Sequence, residues 1–360
     1  MSHLHTDLIR RLFVNAIRGL TFPRNFASIM PFCRQQPLVD AIVSGIRMHN
    51  HLGSIKLDTL HVVIIPTVSV TSVGLRRMFY TGSCLLNNRN QCYARRRLFF
   101  SILCFLGLAS CATPSERFAS AAANFGFYGF SLDSGTFDHQ FYTDARVTQD
   151  INEEVLHVYL DGDGTPWEKH QWIADDPTSR NPMILELMRQ DKAAAIFLGR
   201  PCYHGLNKTS ACQYKYWTSY RYSKQVVDSL VHVLKLWLSK HSFKQVVLIG
   251  YSGGGTLAVL MAPYLPEVQT IVTLAANLDV EAWSRYHGYK PLTESLNPAG
   301  IALNANLRQI HIAGLDDNIV PAQIIKSYAD KQVNALYLPY AHFDHHCCWV
   351  KEWASILRFF

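Results

Sequence analysis

Gln245-Val-Val-Leu-Ile-Gly250-Tyr-Ser252-Gly-Gly-Gly255 is the stretch of this 360-residue chain that decides the fold, and Thr256-Leu-Ala-Val-Leu-Met follows it at once. A β-branched run, typical of a buried strand, leads into a glycine-rich turn and then into a segment suited to a helix. Gly250, Ser252 and Gly254 complete the pattern G-x-S-x-G, whose small residues allow a sharp turn that holds the serine above the sheet edge. The start of the next helix favours a developing anion at that place. The alternative is a plain strand-to-helix turn, since Gly and Ser are common in turns.

The C-terminal two-thirds of the chain alternates between strand-like and helix-like runs. Residues 222–240 carry apolar side chains at the spacing of one helical face. Strand-like runs lie before and after this helix, at residues 137–144, 155–160, 193–198, 245–249, 270–275, 309–313 and 334–338. Strands that alternate with helices predict an α/β fold with a mostly parallel central sheet and helices on both faces.

An acidic loop follows the strand at residues 309–313. Its sequence, Gly314-Leu-Asp316-Asp317-Asn-Ile-Val-Pro321, resembles the G-x-x-D-x-x-V-P loop of the α/β-hydrolases, and the resemblance places a catalytic acid at Asp317 with Asp316 as its neighbour. Such an acid has a role here because an activated serine needs a base, and the base needs a group that orients it. The alternative is an acidic surface turn, because Asp is a favoured turn residue.

Three histidines lie in the loop after the last strand, in Pro339-Tyr-Ala-His342-Phe-Asp-His345-His346-Cys-Cys-Trp349. An imidazole titrates near neutral pH, so it can take a serine proton and return it to a leaving group. Position alone does not separate His342 from His345. We favour His345, because Phe343-Asp-His345-x-Cys-Cys-Trp349 is similar to the ending of exported bacterial hydrolases with this elbow. A metal site is disfavoured, since no partner ligands lie at metal-binding spacing.

Together, the elbow, the acid loop and the histidine loop resemble the α/β-hydrolase superfamily over about residues 125–360. The resemblance implies that Ser252 attacks a carbonyl, that His345 (or His342) serves as base and then acid, and that Asp317 holds the imidazole. The implied reaction is hydrolysis of a carboxylic ester or related acyl bond through an acyl-enzyme, with no cofactor and no metal. The alternatives are an exported peptidase or acyltransferase with the same triad, and an inactive envelope lipoprotein that uses the fold for binding.

The oxyanion hole is expected to combine the backbone N–H of Gly253 with one from the loop after an early strand. That strand, Val155–Leu160, ends in Asp161-Gly162-Asp163-Gly164, where lipases and esterases carry a His-Gly-type loop. Gly162 or Asp163 is the candidate donor. Calcium is disfavoured at this turn, because position 12 of an EF-hand loop counted from Asp161 is Trp172 and not Glu.

The N-terminal third differs in composition from the rest. Residues 1–97 hold 13 of the 34 Lys and Arg residues but 3 of the 27 acidic ones, so the net charge of +7 is not a nucleic-acid footprint of the folded domain. Arg95-Arg-Arg97, the apolar run that ends at Leu108, and Ala109-Ser-Cys111 have the order of a signal peptide. Leu108-Ala-Ser-Cys111 resembles the lipobox of bacterial lipoproteins. The resemblance implies lipidation at Cys111, a membrane anchor and a domain facing the periplasm; a buried apolar helix is the alternative.

These features divide the chain into four segments: 1–94, an extension that indicates an upstream start codon or a targeting segment; 95–111, the signal peptide; 112–124, a small polar tether; and 125–360, the hydrolase domain. An oxidising periplasm would allow a disulfide between Cys202 and Cys212, which bracket a short loop. The state of Cys347 and Cys348 stays open. Residues 199–203 and the aromatic run at 214–222 are expected to line the site or, equally, to pack beneath a loop.

Overall fold

The computed structural model describes residues 112–148, 154–169 and 171–360. The predicted signal peptide and the predicted lipidation site at Cys111 lie outside these residues. The described strands are β1 (Tyr128–Asp133), β2 (Asp138–Thr143), β3 (Val155–Leu160), β4 (Trp167–Glu168), β5 (Trp172–Ile173), β6 (Ala194–Leu198), β7 (Gln245–Tyr251), β8 (Val268–Leu274), β9 (Arg308–Gly314) and β10 (Ala335–Tyr340). The described α-helices are α1 (Pro114–Asn124), α2 (Ala145–Thr148), α3 (Met183–Gln190), α4 (Lys224–Leu238), α5 (Gly253–Met261), α6 (Val280–His287), α7 (Ala322–Ala329) and α8 (Trp349–Ile356).

Eight of these strands form one sheet in the order β1-β2-β6-β3-β7-β8-β9-β10, and β4 and β5 form a separate two-stranded ribbon. β2 runs antiparallel to β1 and to β6, whereas every neighbouring pair from β6 to β10 is parallel. The loops after the parallel strands therefore meet at the carboxyl edge of the sheet, where open α/β sheets bind their ligands. This mostly parallel sheet with helices on both faces is the α/β-hydrolase fold, which confirms the predicted fold class.

Each face of the sheet has its own apolar core, because side chains alternate across a strand. On β3, Val158 faces one core and Tyr159 faces the other, and on β6 Ile196 and Phe197 divide in the same way. Helices α4, α5, α6 and α7 cover the first core, and α1, α3 and α8 cover the second. Helix α4 is the amphipathic helix predicted at residues 222–240, and its N-cap is Ser223, whose side chain accepts from the N–H of Val226.

The prediction that residues 112–124 form a tether is wrong, because Pro114–Asn124 is helix α1 of the folded domain. Thr113 and Glu116 form a capping box at its start. The Phe118 side chain is 1% exposed, and its ring centroid lies 5.3 Å from that of Phe197. Ser115 Oγ donates to Asp176 Oδ2 at 2.7 Å. The small residues that resemble a flexible linker in the sequence therefore form a helix that packs closely against the domain.

Several elements have no counterpart among the predicted ones. β1 at the edge of the sheet and the β4–β5 ribbon are absent from the sequence-based prediction, and the predicted strand at residues 137–144 is one residue shorter at each end, as β2. β3 lies at the predicted residues, and the bounds of β6 to β10 differ from the predicted ones by at most two residues at either end. Among the described helices, none has the length and apolar character needed to cross a membrane.

Candidate active site

The turn between β7 and α5 has the geometry predicted from its G-x-S-x-G pattern. Ser252 has φ 51° and ψ −122°, a conformation that L-residues rarely adopt and that is found at functional sites. Its N–H donates to the carbonyl of Leu274 on β8 at 2.8 Å. A Cβ on Gly250 would overlap the backbone of Gly254, and a Cβ on Gly254 would overlap the carbonyl of Leu160. Both glycines are therefore required by close approach, and the strained serine stands at the start of a helix.

Ser252, His345 and Asp317 come together at the carboxyl edge of the sheet. Ser252 Oγ lies 3.0 Å from His345 Nε2, and His345 Nδ1 lies 2.8 Å from Asp317 Oδ2. The His345 side chain is 6% exposed. Ninety-three residues separate the serine from the histidine in the sequence, and the parallel strands β7 and β10 bring the loops that follow them to the same edge of the sheet. The arrangement allows a proton to move from the serine hydroxyl to an imidazole held by a carboxylate.

Asp317 has a fixed orientation. Its Oδ1 accepts the backbone N–H groups of Ile319 and Val320, each at 2.8 Å, which leaves Oδ2 for the imidazole. Asp316, the neighbouring acid, is 62% exposed at its side chain and makes no contact with His345. The loop after β9 thus presents Asp317 to the histidine, as the resemblance to the acid loop implies.

The structure separates the two candidate histidines. The His342 side chain is 94% exposed, and its Nδ1 lies 3.8 Å from Asp316 Oδ2 rather than near Ser252. The backbone around His345 is held by its carbonyl, which accepts from Tyr251 Oη at 2.9 Å and from Trp349 Nε1 at 3.2 Å. His345, the favoured residue of the two, is therefore the histidine that reaches the serine.

The predicted oxyanion loop, Asp161 to Gly164, lies directly beside Ser252. A Cβ built on Gly162 would be 3.2 Å from the Cβ of Ser252, and one built on Gly253 would overlap Asp163 Oδ1. The N–H of Gly162 donates to Asp161 Oδ1 at 2.8 Å. Among the hydrogen bonds of the described residues, none uses the N–H of Gly253 or of Asp163. Of the predicted donors, the N–H groups of Gly253 and Asp163 are therefore unused among the described residues, and that of Gly162 is already engaged.

A cluster of buried charged groups holds this loop in place through contacts with Asp163. Asp163 Oδ1 pairs with Arg200 Nη1, and Asp163 Oδ2 accepts from Arg221 Nη1 at 2.9 Å and from Tyr222 Oη at 2.7 Å. Tyr203 Oη donates to the Asp163 carbonyl at 3.0 Å. Burial alone would raise the pKa of Asp163, but the two guanidinium groups and the Tyr222 hydroxyl outweigh it and hold that pKa well below its usual range. The carboxylate is therefore ionised at neutral pH.

The sequence pattern missed this cluster. Residues 199–203 and 214–222 were expected to line the site or pack beneath a loop, and only Arg221 among them lines the cavity. Tyr203, Trp217 and Tyr222 are buried in the first core instead. Arg200 was an available signal for this charge cluster. An arginine that follows the fully buried strand β6 needs a buried acid as its partner.

A cavity of about 250 Å³ opens beside Ser252. Its wall combines apolar surface, to which Tyr251, Trp283, Ile319 and Val320 contribute, with polar side chains that include Asp161, Ser179, Asn181, Arg221, Asn277 and His346. Burial raises the pKa of Asp161 to about 7, although the N–H of Gly162 and the charge of Arg200 oppose the shift. Asn277 is 3% exposed, and its Oδ1 is without a hydrogen-bond partner among the described residues. Such a wall suits a small ligand with hydrogen-bonding groups.

Cys202 and Cys212 form the predicted disulfide, in the loop that follows Arg200. Cys347 and Cys348, which the sequence left open, are joined to each other. Within residues 112–148, 154–169 and 171–360, no group of three or more His, Cys, Asp or Glu side chains is arranged to hold a metal ion.

No protein-family model matches the chain, and no curated protein matches it. Solved structures do resemble it. An α/β serine hydrolase without a lid, XC6422 from Xanthomonas campestris, is 12% identical, with 64% of this chain and 92% of that one covered and a TM-score of 0.43. The Pyrococcus furiosus esterase Pf2001 is 15% identical, with coverage of 69% and 95% and a TM-score of 0.45. Est1E from Butyrivibrio proteoclasticus is 12% identical, with coverage of 64% and 98% and a TM-score of 0.43. Independently of these likenesses, the strand order and the elbow between β7 and α5 establish that this chain has the α/β-hydrolase fold.

Proposed function

We propose that the protein is a serine hydrolase that cleaves a carboxylic ester or a related acyl bond through a Ser252–His345–Asp317 triad and an acyl-enzyme. The observation that carries the proposal is the pair of contacts at His345, 3.0 Å to Ser252 Oγ and 2.8 Å to Asp317 Oδ2, at a strained turn beside a cavity. A half-buried serine that contacts a buried histidine, itself held by a buried aspartate, is hard to explain by stability alone, because the elbow is strained.

In the first half of the reaction, Ser252 Oγ bonds to the carbonyl carbon of the substrate while its proton passes to His345 Nε2. The carbonyl oxygen becomes an oxyanion, which in this proposal accepts the N–H groups of Gly253 and Asp163. The imidazolium that forms is stabilised by Asp317 at 2.8 Å. It then gives its proton to the departing alcohol as the bond between carbonyl carbon and leaving oxygen breaks.

In the second half, water replaces the alcohol. His345 takes a proton from the water, whose oxygen attacks the acyl carbon, and the same oxyanion hole receives the charge. Collapse of this intermediate returns the proton to Ser252 Oγ and releases the carboxylic acid. The sum is ester plus water to acid plus alcohol, with no redox step.

Covalent labelling with a fluorophosphonate probe tests the proposal. Wild-type protein should be labelled at Ser252, and Ser252→Ala should not be labelled. Ser179→Ala is the matched control, because this second serine lines the same cavity but its hydroxyl donates to the carbonyl of Asn181 at 2.7 Å; it should keep the label. Folded wild-type protein that takes no label would contradict catalysis and favour the inactive, ligand-binding alternative.

Turnover distinguishes the catalytic alternatives. Short p-nitrophenyl esters should be hydrolysed faster than peptide anilides, and added alcohols should not divert the acyl group. A preference for anilides would indicate a peptidase, and efficient transfer to an alcohol would indicate an acyltransferase. His345→Ala should lose several orders of magnitude in kcat, whereas His342→Ala, at an exposed position, should not.

We also propose that the mature protein is a lipoprotein of the bacterial cell envelope, anchored at Cys111. The support is the basic and apolar run before the lipobox in the sequence. Helix α1 begins at Pro114, so a lipid on Cys111 would hold the domain close to the membrane surface. Mass spectrometry of the mature N-terminus tests this proposal: a start at an acylated Cys111 is expected, and a start well upstream of it would refute the anchor.

A further inference from the structure

A negative charge lies where the proposed reaction needs a positive one. The space that a Cβ on Gly253 would take is occupied by Asp163 Oδ1, and Tyr222 Oη lies 2.7 Å from the same point. The Asp163 carboxylate is thus packed against Gly253, the first residue of α5, whose N–H is one of the two proposed oxyanion donors. An uncompensated carboxylate at this place would oppose a developing negative charge in a site of low dielectric constant.

Two guanidinium groups face that one carboxylate. Arg200 is buried, pairs with Asp163 Oδ1 and also donates from Nη1 to the carbonyl of Gly162 at 3.3 Å. Arg221 pairs with Asp163 Oδ2 at 2.9 Å and forms part of the cavity wall. One arginine would suffice to neutralise the aspartate. With the second, the cluster carries a formal charge of one positive unit while the neighbouring Asp161, whose pKa burial raises to about 7, is protonated, and burial limits the screening of that charge by salt.

We propose that Arg200 and Arg221 are positioning residues of the reaction: acting through Asp163, they hold the oxyanion loop against α5 and keep the region behind its two N–H donors net positive. The inference rests on the proposed function. It goes beyond a structural ion pair. A pair that only stabilises the fold needs one positive charge for each negative charge, whereas Arg200 and Arg221 both face the single carboxylate of Asp163. Arg200 Nη2 also donates to the carbonyl of Arg221 at 2.8 Å, which ties the two arginines together.

The test measures the pH dependence of two reactions, hydrolysis of p-nitrophenyl acetate and labelling of Ser252 by a fluorophosphonate. The activity of a hydrolase that uses a general base rises with pH along an acidic limb. Arg221→Gln removes a positive charge, so the acidic limb should move up by about half a pH unit and kcat should fall about 10- to 100-fold with little change in KM. Asp163→Asn removes a negative charge, so the limb should move down. The opposite signs distinguish an electrostatic role from a structural one.

Tyr222→Phe is the control inside the cluster, because it removes a hydrogen bond to Asp163 without changing any charge; its limb should stay in place. Other groups near His345 also titrate or carry charge: Asp317, His346, Tyr251, Asp344 and Asp161. These groups are unchanged in all the variants. The pKa of Asp161 should rise when a positive charge is removed and fall when the charge of Asp163 is removed, so its titration does not reverse either sign.

A second control removes an arginine from the opposite edge of the sheet. Arg146→Gln breaks a pair with Asp144, and Arg146 also bonds to the carbonyl of Asp191 just before β6; its pH profile should match the wild type. The inference is overturned if the folded variants Arg221→Gln and Asp163→Asn shift the acidic limb in the same direction, or do not shift it. The proposed function still stands in that case, provided that the fluorophosphonate labels the wild-type protein. If Arg221→Gln does not fold, Arg221→Lys decides. If Arg221→Lys keeps the acidic limb at the wild-type pH and retains at least a tenth of the wild-type kcat, the inference is supported. If it loses more than about 100-fold in kcat, the inference is refuted.

Discussion

Replacing Asp317 by asparagine is expected to remove most of the activity while leaving the fold intact, and the reason can be followed atom by atom. In the native protein Asp317 Oδ1 accepts two backbone N–H groups, from Ile319 and Val320, and Oδ2 faces His345 Nδ1 at 2.8 Å. In the variant Asp317→Asn, the new amide nitrogen cannot face two donors without losing two hydrogen bonds. It must therefore take the place of Oδ2 and donate to His345 Nδ1.

An imidazole that accepts at Nδ1 carries its proton on Nε2. That proton then points at Ser252 Oγ, 3.0 Å away, and the ring cannot take the serine proton. The expected magnitude is taken from the same Asp-to-Asn change in a serine protease. That change lowers kcat by about 10⁴, which corresponds to about 5.4 kcal/mol of transition-state stabilisation. We expect a loss of that size in kcat/KM for p-nitrophenyl acetate and, because the hydrogen bonds of the loop are kept, little change in Tm.

Asp316→Asn is the matched control, since it makes the same chemical change one residue away at an exposed side chain. It should keep activity within about twofold of the wild type, as surface changes usually do. A folded Asp317→Asn that keeps activity within tenfold of the wild type would show that the carboxylate does not set the tautomer of His345. The triad assignment would then be wrong at its acid.

Three further predictions concern stability. Gly254→Ala should prevent folding or lower the free energy of unfolding by several kcal/mol, because the new Cβ would overlap the carbonyl of Leu160. The control is Gly300→Ala, whose Cβ would meet nothing within 4 Å, and it should leave Tm unchanged. Equal Tm values for the two variants would refute this reasoning. Phe118→Ala should cost about 3–5 kcal/mol by urea unfolding, because its ring is buried under α1, and a cost below about 1 kcal/mol would mean that α1 does not pack as described. Asp161→Asn should stabilise the protein increasingly as pH rises from about 4 to about 7, since the raised pKa means that folding costs more once the carboxyl ionises; an unchanged pH dependence of the urea midpoint would contradict the burial of that charge.

Local patterns carried most of the fold and part of the site. The run at β7, the glycines and Ser252 are consecutive in the chain, and the close approach of Gly250 to Gly254 follows directly from that order. Asp317 lies at a fixed offset from the end of β9, so a loop motif was enough to indicate it. Helix α4 has a clear apolar periodicity because it packs one face on the sheet. In each case the signal and its cause lie within about ten residues of one another.

The sequence by itself therefore determined a mostly parallel α/β sheet, the serine at its elbow and the acid that follows β9. Tertiary structure alone decided the rest. His342 and His345 share one loop and one chemistry, and only the contact with Ser252 across 93 residues separates them. The segment that resembles a tether is a helix, because Phe118 finds an apolar partner in Phe197 on the sheet. The charge behind the oxyanion loop depends on Arg200 and Arg221 meeting Asp163, and no local pattern encodes a meeting of three distant residues whose energy comes from shared burial.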